Sequence, residues 1–109
     1  METITYDEFK KMDIRIGTIR EVEPVPETDK LLRCMVDVGE ESPRQIISGI
    51  KEYYPDYEML VGKQVLYILN IEPRKIRGLE SQGMLMAVGE GTCIFLVPEN
   101  PVAPGSKVH

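Results

Sequence analysis

A single histidine, His109 at the last position, leaves this chain without the imidazole that most acid–base and zinc sites use. A Ser-His or Cys-His pair with an internal imidazole cannot be built, nor can a histidine-based metal cluster. Ser48 and Ser81 stand near glycines, but the sequence places no base beside either, and the acidic residues are scattered as on a solvated surface. No catalytic residue, metal ligand or cofactor is assigned on these grounds, and an enzymatic role is not expected. Cysteine is scarce too. Cys34 and Cys93 sit in apolar, strand-like runs without Cys-x-x-Cys spacing, which reads as two buried, reduced thiols. No apolar run approaches the ~20 residues of a membrane span, so no membrane partner is expected. Met1-Glu2-Thr3-Ile4 lacks the basic and apolar regions of a secretion signal, and the cytoplasm is the expected compartment.

What remains is a chain of 109 residues, enough for one modest core, read as a single domain over 1–109. Its net charge of −5 argues against coating nucleic acid by bulk electrostatics. Yet the basic residues are not spread evenly. Residues 60–89 carry four basic and two acidic groups, and Arg74, Lys75 and Arg77 crowd into four positions. A local patch of this kind can discriminate among RNAs without adhering to all of them.

The pattern of apolar residues is that of an all-β chain with one short helix. Thr5-x-x-Glu8 is a capping box and Ile4 and Phe9 occupy hydrophobic-staple positions, which predicts a helix over Thr5–Met12. Ile14 and Ile16 alternate, then the phase slips to Ile19 across Gly17, which predicts a bulge that bends the first strand. Leu32, Cys34, Val36 and Val38 share one face of a second strand. Residues 44–50 form a third, Val65, Tyr67, Leu69 and Ile71 mark a fourth, and Met84, Met86 and Val88 begin a fifth. Cys93 to Val97 is a hairpin partner or extension beyond Gly89-Glu90-Gly91, and the proline-bearing tail runs irregularly over the surface. Tyr53-Tyr54-Pro55-Asp56-Tyr57 interrupts the strands with a short helical turn. Five strands, a bent first strand and an insert before the fourth describe a five-stranded oligonucleotide/oligosaccharide-binding (OB-fold) barrel with an N-terminal helix and a C-terminal strand extension. An SH3-like barrel is the alternative.

Residues 70–84 concentrate the functional signal. Arg74, Lys75 and Arg77 follow a strand on a segment punctuated by Gly78 and Gly83, a surface suited to a phosphate backbone. Three cations could also be a solvated cluster that keeps a hairpin soluble. Asn70 at a strand end, with Ser81, Gln82 and Met84, tips the balance toward a structured RNA held through phosphates and a few specific contacts. The tyrosines of the insert could stack on bases but fit packing better. Met12, Met84 and Met86 read as core or dimer-interface filler.

The chain resembles the tRNA-binding domain family. Asp13-Ile14-Arg15-Ile16-Gly17, Asp29-Lys30-Leu31-Leu32, Val36-Asp37-Val38-Gly39, Arg44 to Ile50 and Asn70 to Met84 follow that family in order and spacing. The resemblance covers about Tyr6 to Val108. The family includes the C-terminal domain or beta subunit of methionyl-tRNA synthetase, freestanding structure-specific tRNA-binding proteins and an export-related chaperone branch. It implies an OB fold that homodimerises through the N-terminal helix and C-terminal strands and binds tRNA by shape. By resemblance the RNA-facing residues are Asn70, Lys75, Arg77, Ser81 and Met84, with Arg74 at a more variable position. Val25-Pro26-Glu27-Thr28-Asp29 departs from the His-Pro-x-Ala-Asp of many relatives by losing the histidine and gaining an acid. Glu80 to Met84 looks closer to the synthetase branch than to the chaperone branch. The expectation is a non-catalytic tRNA binder acting in trans or as part of methionyl-tRNA synthetase, with Met1 favouring an independent chain. The alternative is a chaperone-like or protein-dimerisation module.

Overall fold

The computed structural model describes residues 1–109. Its elements are α1 (Tyr6–Lys10), β1 (Ile14–Pro24), β2 (Leu32–Asp37), β3 (Arg44–Ser48), a 3-10 turn (Tyr57–Leu60), β4 (Gln64–Ile68), β5 (Arg74–Ile76), β6 (Leu79–Ser81), β7 (Met84–Leu85), β8 (Ala87–Val88) and β9 (Ile94–Phe95). The helix starts at the capping box. The Glu8 N–H donates to the Thr5 hydroxyl and the Thr5 N–H to the Glu8 carboxylate, each at 3.1 Å. Two amides that the helix start leaves without partners are thereby satisfied. The helix is shorter than expected, none of its residues is buried, and Ile4 is exposed.

Five strands form one antiparallel sheet in the order β3-β2-β1-β4-β7. It curls until β3 meets residues 80–82, giving a nearly closed OB-type barrel. Side chains close much of that seam. The Gln82 N–H donates to the Gln45 carbonyl at 2.8 Å, the Gln45 N–H to the Gln82 side-chain oxygen at 3.1 Å, and the Ile47 N–H to the Ser81 hydroxyl at 3.0 Å. The core lies within the curl. Leu32, Cys34 and Val36, alternating along β2, are fully buried with Ile19, Val65, Tyr67 and, from the 3-10 turn, Leu60.

Three local expectations are corrected. The register shift in β1 falls between Ile19 and Glu21, not at Gly17. Gly17 serves packing, because a Cβ there would lie 2.5 Å from Val36 Cγ1 and 3.3 Å from Val38 Cγ1. The fourth strand stops at Ile68, and Ile71 is exposed because the chain turns out of the sheet toward Pro73. The fifth run divides at Met86, whose N–H donates to Leu66 and whose carbonyl accepts from Leu96, so that β8 swings away to pair with β9. The C-terminal tail is irregular yet anchored: Ile16 and Val108 donate to Ser106 and Ile14, and Gly105 donates to Ile16, at 2.8–2.9 Å. These bonds cover the start of β1 on the edge that β2, which pairs only from Thr18 onward, leaves open. No helix is long and apolar enough to cross a membrane.

Candidate nucleic-acid interface

The segment after β4 leaves the barrel as a hairpin and returns to it. In β5 and β6, Arg74 stands opposite Ser81, Lys75 opposite Glu80 and Ile76 opposite Leu79. The turn residues Arg77 and Gly78 have φ of +54° and +79°, the doubly positive pair of a type I′ turn, whose twist continues that of its strands. Glycine adopts this backbone freely. An arginine there carries a strain of about 1–2 kcal/mol, so the chain holds a cation at the apex against local preference.

Arg74, Lys75 and Arg77 are all exposed. The protein's four ion pairs are Arg15–Asp13, Arg20–Asp37, Arg33–Glu23 and Arg44–Glu40, all on the barrel. The hairpin cations take part in none of them, and Lys75 is unpaired even with Glu80 across the ladder. The positive charge is therefore free to meet an external anion.

The roots of the hairpin are fixed by other side chains. The Asn70 amide oxygen accepts from the Asp13 N–H at 2.7 Å and its nitrogen donates to the Lys11 carbonyl at 2.5 Å, which ties the helix exit to the end of β4. Ser81 is 7% exposed, its hydroxyl accepting at the barrel seam. Arg44 donates to the Leu69 carbonyl at 2.9 Å and holds Glu40 through two bonds at 2.8 and 3.0 Å, keeping that carboxyl below the usual carboxylate range. The Tyr67 hydroxyl donates to the Gln82 carbonyl, and burial raises its pKa well above that of a free phenol. Gly83, at φ +95°, lies where a Cβ would be 2.5 Å from the Ile68 carbonyl oxygen. Of the sequence-predicted residues, Arg74, Lys75, Arg77 and Met84 thus face solvent, while Asn70 and Ser81 sit at the hairpin's base with side chains engaged inside the protein.

A cleft of about 340 Å³ opens where the hairpin, the end of β3 and β7 meet. Beyond the hairpin, a depression of about 440 Å³ is lined by Arg77 and by Thr28 to Leu31. Lys30 belongs to this second surface, and sequence reasoning missed it. Its only signal was a position in the loop after β1, and folding is what brings that loop beside the hairpin tip. There Glu27 takes φ +63° after Pro26, and the Thr28 N–H and hydroxyl both donate to the Val25 carbonyl. The tyrosine insert is structural at two positions: Tyr54 stacks on Phe95 at 5.6 Å between ring centres and donates to the Cys93 carbonyl at 2.7 Å, and Tyr57 packs on the core. Met12 and Met84 are exposed rather than core. No group of three or more His, Cys, Asp or Glu side chains is placed to hold a metal ion.

The model of the family described as "Putative tRNA binding domain" matches residues 14–107. The chain is 46% identical over 108 residues to a methionine–tRNA ligase of Methanosarcina acetivorans, covering 97% of this chain and 15% of that protein. A methionine–tRNA ligase of Porphyromonas gingivalis is 47% identical over 109 residues, covering 98% of this chain and 16% of that protein. The chain therefore spans under one-sixth of these relatives. Among solved structures, a MetRS-related protein from Pyrococcus horikoshii superposes with a TM-score of 0.87 at 33% identity, covering 100% of both chains. The chaperone CsaA from Bacillus anthracis superposes at 0.86 with 27% identity, covering 99% of this chain and 100% of the other. A barrel of this topology, matched along nearly its whole length, belongs to the tRNA-binding domain family.

Proposed function

We propose that this protein is a non-catalytic tRNA-binding module whose contact surface is the β5–β6 hairpin. The observation that carries the reading is the set of three exposed cations left out of every ion pair, in a protein that is otherwise acidic. Lys75 and Arg77 neutralise phosphates, Arg74 adds a third contact, and Met84 supplies an apolar contact beside them. Asn70, exposed at the base of the hairpin, retains a second amide N–H and an oxygen lone pair for a ribose or base edge, while the buried Ser81 acts from the barrel seam by holding the hairpin in place. The module acts in the cytoplasm, in trans or as a subunit or domain of methionyl-tRNA synthetase, raising the local concentration of tRNA at a catalytic chain.

Two copies present two hairpins to one tRNA in this reading. Exposed apolar side chains at Ile4, Tyr6 and Met12, and at Val88, Ile94 and Val97, support homodimer contacts through the N-terminal helix and the β8–β9 region. The same apolar residues, with the likeness to the chaperone CsaA, favour a second reading in which the partner is a protein. A mobility-shift titration with unfractionated tRNA, beside an RNA duplex of similar length at two salt concentrations, decides between them. Salt-sensitive binding to tRNA but not to duplex supports the first reading. Absence of binding to any RNA, with capture of unfolded protein that persists at high salt, supports the second.

A further inference from the structure

The hairpin cations account for phosphate contacts but leave the neighbouring cleft without a role. Its walls are chemically mixed. Ile71, Ile76 and Met84 line it, with Ile71 38% and Met84 47% exposed, together with Ser48 and Gly49 and one residue of each charge, Glu72 and Arg74. The Gly49 N–H makes no backbone hydrogen bond and the residue is exposed. Apolar side chains held open to water beside Arg74, which forms no ion pair with Glu72 or any other carboxylate, fit a ligand with one flat apolar part and one anionic part.

The geometry points to a pocket for one unpaired nucleotide, its base entering the cleft between β3 and the hairpin and its phosphate lying toward Arg74. This rests on the RNA-binding reading above and goes beyond it, because recognition by shape alone needs no base to leave the stack. At about 340 Å³ the cleft lies near the lower end of small-molecule sites, which run from roughly 300 to 1,000 Å³. Paired bases in an A-form helix are stacked, and their wide groove offers hydroxyls and edges rather than base faces, so a duplex leaves these walls uncovered. A bulged or loop nucleotide can present both faces. No aromatic side chain lines the cleft, so the base is held by aliphatic and thioether contacts, tolerant of base identity. The Ser48 hydroxyl and Gly49 N–H are available to its edge. An apolar peptide side chain would fill the same walls but would leave the three cations unmatched.

The test uses a stem-loop RNA with one bulged 2-aminopurine and the same stem with that nucleotide paired, each titrated with the protein beside unfractionated tRNA. The expected result is binding roughly tenfold tighter to the bulged RNA, with a saturable change in 2-aminopurine emission. Ile71→Ala, at an exposed position that the fold tolerates and that the phosphate-contact reading does not use, should reduce that preference to about twofold or less and leave affinity for the paired stem unchanged. Equal binding of both RNAs with unchanged emission overturns the pocket while RNA binding stands, as does a preference that Ile71→Ala retains. Failure to bind any of the three RNAs removes the RNA-binding reading itself, and the pocket with it.

Discussion

Replacing Lys75 and Arg77 together by alanine separates phosphate contacts from every structural role of the hairpin. Both side chains are exposed and neither forms an ion pair, so the double variant should fold with stability within about 0.5 kcal/mol per site of the parent. Each phosphate contact contributes about 0.7 to 0.9 to the slope of log affinity against log salt, so losing two flattens it by about 1.4 to 1.8. Between about 50 and 200 mM salt, that difference makes the parent lose about tenfold more affinity than the variant. At low salt, two charge-assisted bonds at about 1.5 kcal/mol each predict roughly hundredfold weaker binding. Fluorescence anisotropy with end-labelled tRNA over that salt range reads both quantities, and circular dichroism confirms folding. A folded variant with the parent's slope refutes the assignment of these two residues, whatever its affinity.

Arg77→Gly removes both the cation and the strain at φ +54°, so thermal stability should rise by about 0.5–1 kcal/mol while tRNA affinity falls; a lower melting temperature contradicts the turn assignment. Gly83→Ala places a Cβ 2.5 Å from the Ile68 carbonyl oxygen and from Tyr67 Cε1, and should destabilise by about 2–3 kcal/mol in a denaturant titration. Burial pushes the Cys34 thiol up to about 11, so its contribution to stability is complete below the ordinary value of 9.0 and is lost as pH rises through about 11. A thiol reagent at neutral pH should therefore modify half-buried Cys93 first and reach Cys34 only on unfolding, and equal rates would contradict the placement of β2. Asp37 is held low by the Gly39 N–H and then by Arg20, and Glu40 by Arg44. Their stabilising effect is present above the ordinary values of 3.8 and 4.5 and fades as pH falls through the lowered folded values, so melting temperature should drop on acidification below about pH 4.5, less steeply in Arg44→Ala.

Much of this architecture is readable from residue order because local chemistry and tertiary packing agree. Thr5 and Glu8 form their capping box where the spacing puts it, and Leu32, Cys34 and Val36 alternate into the core as a half-buried strand must. Disagreement arises where long-range contacts decide. Gly17 looks like a bulge by periodicity, yet its role is set by Val36 and Val38 on a neighbouring strand. Ile71 and Met84 carry apolar side chains in strand-like runs, but the excursion of the hairpin leaves both exposed. The basic cluster was legible because Arg74, Lys75 and Arg77 are adjacent in sequence. What was not legible is that Asn70 and Ser81 find their partners at Asp13 and Ile47, 57 and 34 positions away, or that Lys30 reaches the hairpin tip. Pairings of that separation leave no periodic trace in a single chain.

The hairpin as tRNA-binding surface is tested most directly by mapping backbone amide signals of the isotope-labelled protein as unfractionated tRNA is added. Perturbations concentrated at Arg74 to Met84, with Lys30 and its neighbours beside them, are what this account predicts. Perturbations concentrated instead on β8, β9 and the N-terminal helix, with the hairpin amides unmoved, would contradict it.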